Sequence, residues 1–98
     1  MSGWRFFCPI RSYFLWEYRR ESPPEVDILL LDKTFELNEA ESFIWESIDG
    51  DRRLHHIVEL THDRYPDVAS ARITRDVVRF VMFCHGEKLV YLHWEPLR

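Results

Sequence analysis

Three groups of residues in this chain have the type and spacing to do chemistry. His55, Glu59 and His62 stand at i, i+4 and i+7, so a helix would bring two imidazoles and a carboxylate to one face, where they could bind a metal ion. No further His or Cys converges on them, and histidines on an exposed face are ordinary, so no metal is expected. Arg72, Arg75 and Arg79, at i, i+3 and i+7, would form a basic stripe with Met82 and Phe83 beside it, where a solvated helix would carry polar groups. Such a mixed surface could grip a peptide. The third group, Thr34 to Leu37, offers its backbone: as an edge strand it would present unpaired N–H and C=O groups to which an extended peptide can add.

Independent catalysis has no candidate site. The chain shows no Gly-rich phosphate loop, no clustered cysteines for iron and sulfur, and no nucleophile with a marked histidine partner, so neither an enzyme nor a cofactor is expected. Cys8 and Cys84 are far apart without CxxC spacing and read as buried or idle thiols.

The elements that position these groups centre on Leu37 to Gly50, LNEAESFIWESIDG. Asn38 can cap a helix while Glu41 reaches back, a capping box. Ala40, Phe43, Ile44 and Ile48 then recur on one face, and Gly50 supplies a left-handed residue at the end. Before this helix, Tyr13 to Arg19 is strand-like, and Ser22-Pro23-Pro24-Glu25 breaks it. Val26 to Leu31 is a nearly continuous apolar run that implies burial on both faces or a central place in a sheet, and Thr34 to Leu37 is a short third strand. Their short connections require an antiparallel meander, because a parallel crossover needs a dozen residues or more; the third strand is then an edge.

After Gly50, Leu54, Ile57, Val58, Thr61 and Tyr65 share one helical face that ends at Pro66. Asp67 or Ser70 is the expected cap of a third helix with Ala69, Ile73, Val77, Phe80 and Cys84 inward; Gly86 closes it, and Leu89 to Leu92 reads as a short strand or extended tail. Residues 1–12 mix Trp4, Phe6, Phe7, Cys8 and Ile10 with two arginines and show no convincing period. Their aromatics imply a segment that packs on the domain or on a second copy, forming a homodimer; residues 13–98 make the domain proper.

Composition sets the class. With 98 residues the chain makes one domain, and 46% hydrophobic residues argue against disorder. Four tryptophans are too many for so small a domain to hide, so some aromatic surface is expected outside. No run is long and apolar enough to span a membrane and no secretory signal is recognisable, so a cytoplasmic protein without membrane attachment is expected. An α+β fold with a three-stranded antiparallel sheet followed by three helices resembles a winged helix-turn-helix, and a DNA-binding transcriptional regulator is the alternative reading, its third helix carrying arginines into the major groove. The net charge of −4 and the carboxylates Asp63, Asp67, Asp76 and Glu87 weigh against nucleic acid as a partner.

Beyond periodicity, the pattern of Leu37-Asn38 before the first helix, Ile44-Trp45 inside it, Asp49-Gly50 at its end, then IVEL (Ile57 to Leu60), RYP (Arg64 to Pro66) and RDVVRFV (Arg75 to Val81) resembles the PqqD family. The resemblance runs from about Asp27 to Leu92, roughly two-thirds of the chain. It implies a recognition element for ribosomally synthesised and post-translationally modified peptides (RiPPs), a winged-helix-like domain that binds the leader segment of a precursor peptide and presents it to a modifying enzyme, often a radical S-adenosylmethionine protein. In that family the leader adds to the third strand and lies against the third helix; the matching positions are Thr34, Phe35, Glu36 and Leu37 together with Arg72, Arg75, Arg79 and Phe83. Arg53 departs from the pattern, standing where the family has a Ser or Thr helix cap, which leaves the second helix frayed at its start or capped by Asp51.

Overall fold

The computed structural model describes residues 3–21 and 24–93. A 3-10 turn at Gly3–Phe6 leads into β1 (Cys8–Arg11), and the chain then turns sharply because Ser12 is held by the end of the domain: its N–H donates to the Leu89 carbonyl at 2.9 Å and its hydroxyl to the Lys88 carbonyl at 2.5 Å. Tyr13 and Phe14 are therefore spent on an exposed bend, and the strand expected from Tyr13 begins later, as β2 (Trp16–Glu21). β3 (Pro24–Leu30) and β4 (Lys33–Glu36) complete an antiparallel meander in the order β2-β3-β4, with Ile28 opposite both Glu17 and Phe35. β3 is central, and only one of its faces is covered: Val26 and Ile28 are buried while Leu29 points out. The expected break at Ser22 and Pro23 lies outside the described residues.

Helix α1 (Glu39–Ser47) starts with the anticipated capping box, the Glu41 N–H donating to Asn38 Oδ1 at 2.8 Å and the Asn38 N–H to Glu41 Oε1 at 3.0 Å. Its buried residues are Ser42, Ile44, Trp45 and Ser47, whereas Ala40, expected inward, is exposed. Trp45 is wholly buried, and its indole N–H donates to Glu17 at 3.1 Å. The Arg11 guanidinium lies 5.1 Å from the indole ring, donates to the Trp45 carbonyl at 2.8 Å and meets Glu17 and Glu46. The Arg19 hydrogen bond to Glu46 holds that carboxyl below its usual range, against the opposing effect of burial. β1, β2 and α1 are thus tied together through charged groups placed over a buried aromatic.

Past α1 the chain turns at Gly50, φ +81°, where glycine carries no steric penalty. Asp49 accepts from the N–H groups of Asp51 and Arg52 at 2.9 and 2.8 Å, bonds that overcome the effect of burial and leave its carboxyl acidic. Helix α2 (Leu54–Arg64) is capped by neither the Arg53 side chain nor Asp51. The Leu54 N–H instead donates to the Phe7 carbonyl at 2.7 Å and the Arg53 guanidinium to the Phe6 carbonyl, so the N-terminal segment closes the helix.

Helix α3 (Ser70–Gly86) has Ala69 at its N-cap with no side-chain bond, so neither Asp67 nor Ser70 caps it, and Ala69 is exposed rather than inward. The far end is a Schellman motif: the Leu89 N–H donates to the Cys84 carbonyl at 2.8 Å and the Lys88 N–H to the His85 carbonyl at 3.1 Å. The left-handed residue is Lys88, φ +66°, and Gly86 is simply the last helical residue. β5 (Val90–His93) then pairs antiparallel with β1, from Cys8 opposite His93 to Arg11 opposite Val90, making a separate two-stranded sheet. Ile28, Ile44, Trp45, Ile48, Leu54, Ile57, Val77, Val81 and Leu89 pack between the meander and the helices as the core.

Candidate functional site

The free edge of β4 and the outward side of α3 meet. A two-residue turn, Leu31-Asp32, joins β3 to β4 and sets the register Leu30–Lys33, Leu29–Thr34, Ile28–Phe35 and Asp27–Glu36. The ladder continues with the Leu37 N–H donating to the Val26 carbonyl at 3.0 Å. Since hydrogen-bonding direction alternates along a strand, Lys33, Phe35 and Leu37 turn their backbone groups toward β3, and Thr34 and Glu36 turn theirs to the open edge. The usable backbone is therefore narrower than the whole Thr34 to Leu37 run. Leu37, moreover, is only 4% exposed and its side chain belongs to the core.

Side chains alternate as well. Phe35 points inward, half-buried, and meets Phe83 edge-to-face with ring centroids 6.0 Å apart; Lys33 pairs with Glu87 at 3.1 Å. From Phe83 an open groove of about 430 Å³ runs between α3 and the start of α1, with Phe80, Phe83 and Ile44 as apolar lining, Ala40 as a low wall and Arg79, Asp76 and Glu41 as charges. The spacing of Ala40 predicts a core position, but its small side chain is exposed and lines this groove. The three arginines are not equivalent. Arg72 and Arg75 share the Asp76 carboxylate at 3.5 and 3.6 Å, while Arg79 has no ion-pair partner among the described residues. Phe83 is 48% exposed in this charged setting.

A second crevice, about 240 Å³, lies elsewhere on α1, over Val26, Phe43 and Tyr65. Its cations are engaged: Arg19 with Glu17 and Glu46, Arg20 with Glu25 and Asp27, and Arg64 with Glu39. It therefore offers no open charge comparable with Arg79.

The histidines are not drawn together. His55 sits against Phe6 and His56 and lies 3.7 Å from Glu59, whereas the His62 ring meets the Ser70 hydroxyl at 3.2 Å. Among the described residues no three His, Cys, Asp or Glu side chains are placed to hold a metal ion. Both cysteines are free and fully buried, and burial raises both thiols, Cys84 to about 12, so neither is a thiolate near neutral pH.

The family model for Coenzyme PQQ synthesis protein D (PqqD) matches residues 23–90, which hold β3, β4 and all three helices. The chain belongs to the PqqD family. Its fold is shared with TbiB1, solved in complex with the TbiA(beta) leader peptide, at 23% identity and a TM-score of 0.72 over 83% of this chain and 93% of that one. It is shared too with the PqqD truncation of Methylobacterium extorquens PqqCD, described as a functional, stand-alone RiPP recognition element, at 18% identity and a TM-score of 0.64 over 93% of this chain and 99% of that one. None of the curated proteins matches this sequence. The match leaves out β1 and β2, so the strand that pairs with β5 and the first strand of the meander both lie beyond the part that identifies the family.

Proposed function

We propose that this chain binds the leader segment of a ribosomally made precursor peptide as a strand added to the open edge of β4, lying against α3, and presents the rest of the precursor to a modifying enzyme. The observation that carries this reading is the free β4 edge standing beside an open groove on α3 in a PqqD-family fold. TbiB1, which has this fold, was solved with a leader peptide bound. The chain's own part is recognition; a radical S-adenosylmethionine protein is the kind of enzyme expected to perform the chemistry. A homodimer through the N-terminal aromatics would rest mainly on Phe6, 53% exposed, because Trp4 is packed against the core.

Magnitudes divide the work between backbone and side chains. Thr34 and Glu36 each offer one donor and one acceptor, and four hydrogen bonds at about 1 kcal/mol net give on the order of 4 kcal/mol, about millimolar affinity. Tighter binding must come from the groove. Burying an apolar leader side chain on Phe83 adds about 1.5–3 kcal/mol, and a charge-assisted bond to arginine adds about the same.

Titrating candidate leader peptides and random DNA duplexes side by side, with amide chemical shifts recorded, tests the proposal. Peptide binding should perturb Thr34 to Leu37 and Arg72 to Phe83. Shifts confined to the His55 to His62 face, or salt-sensitive duplex binding tighter than any peptide, would refute it.

A further inference from the structure

β4 and α3 run in opposite directions and in step. Lys33 Nζ lies 3.1 Å from Glu87 Oε1, and two residues on the Phe35 ring lies 6.0 Å from that of Phe83, four residues back along α3. The match has a geometric cause: two strand residues advance about 6.6 Å and four helical residues about 6 Å. The next level of α3 is Arg79, but β4 has no side chain to meet it, because Leu37 turns into the core. A strand added to the β4 edge would lie about 4.8 Å away with the same pleat, so a residue opposite Phe35 would point inward too.

On the reading that this edge takes a leader, we propose that the leader is selected by two inward side chains two positions apart, an apolar one seated on Phe83 and an acidic one at Arg79. Antiparallel pairing, the more stable arrangement, fixes the order from the leader's N-terminus as acidic, any residue, apolar. Charge complementarity supports the acidic choice. Asp76 is shared by Arg72 and Arg75, and Glu41 accepts from the Asn38 N–H of the capping box, so among the described residues Arg79 is the groove cation without an ion pair.

A random peptide library displayed on phage, panned against the full chain, reads this preference directly. Enriched sequences should carry Asp or Glu two positions before Phe, Tyr, Leu or Ile, and a synthetic peptide of that pattern should shift the Thr34 and Glu36 amides. Arg79→Glu should weaken that peptide by roughly tenfold or more at low salt and turn the charged preference to Lys or Arg, with the apolar preference intact. Arg79 is exposed, so its variant should fold, and circular dichroism confirms this independently. Peptides that shift Thr34 and Glu36 but lack the spaced pair, or an unchanged preference in Arg79→Glu, would overturn the inference and leave the strand-addition reading standing. If no enriched peptide moves those amides, both fall.

Discussion

Lys88 holds a left-handed conformation, φ +66°, at the C′ position of the Schellman motif, where a non-glycine residue costs about 1 kcal/mol. The turn survives because Ser12 holds its carbonyls with two hydrogen bonds: the Lys88 carbonyl accepts from the Ser12 hydroxyl, and the Leu89 carbonyl from the Ser12 N–H. Lys88→Gly removes the steric cost and leaves those bonds in place. It should stabilise the protein by about 0.5–1 kcal/mol in urea denaturation, with an unchanged slope. Gly86 misleads because a glycine near a helix end is the ordinary signal, while the Schellman bonds at Lys88 are reinforced by Ser12, which is remote in sequence. Leu31, φ +57° and 92% exposed, is a second non-glycine in that region of conformational space, and composition gives no hint of it either. Gly50, by contrast, was legible.

The helices could be read because their signals are local: Asn38 with Glu41, the spacing of Ile57 and Thr61, Pro66 after the end of α2. The meander could be read from its short connections. What the sequence does not disclose is which amides of β4 face the open edge, since that depends on the turn at Leu31-Asp32 and the register it sets. The register gives a paired prediction. Thr34→Pro deletes an N–H on the open edge, so it should lower peptide affinity at least about tenfold, the loss of one or more backbone bonds, with only a small change in melting temperature. Phe35→Pro deletes an N–H committed to β3 and also the ring that meets Phe83, so it should destabilise the fold itself. Thermal melts and peptide titrations of both variants check this. Equal loss of stability in the two would mean the register, and with it the assignment of the edge, is wrong. The groove was only half legible for a related reason: the arginines of α3 showed in their spacing, but Ala40 was read as core, and nothing in the sequence separates Arg79 from the arginines that share Asp76.

At the scale of the whole molecule, the N-terminal segment has no periodicity because it is not an amphipathic element; it works as a clasp. β1 pairs with β5, the Phe6 and Phe7 carbonyls close the start of α2, and Arg11 spans Trp45, Glu17 and Glu46. Cys8, Pro9 and Ile10 are buried, although the family match begins only at residue 23. Removing residues 1–12 would expose one face of Val90, take the Phe7 carbonyl from the Leu54 N–H at the start of α2, and leave the Trp45 carbonyl with the Ile48 N–H alone. Burial of Ile10 alone is worth about 1.5–3 kcal/mol, and with Cys8, Pro9, the ladder and the helix closure the loss should be on the order of 5 kcal/mol. Small domains have about 5–15 kcal/mol in all, so the shortened chain should lose about a third or more of its stability and unfold at much lower urea. The β4 edge lies in the other sheet, so peptide affinity of the folded fraction, measured at low temperature, should change little. Urea denaturation of the full and shortened chains decides between a clasp and an appendage: a shortened chain as stable as the full one would show that β1 is merely laid against a domain complete without it.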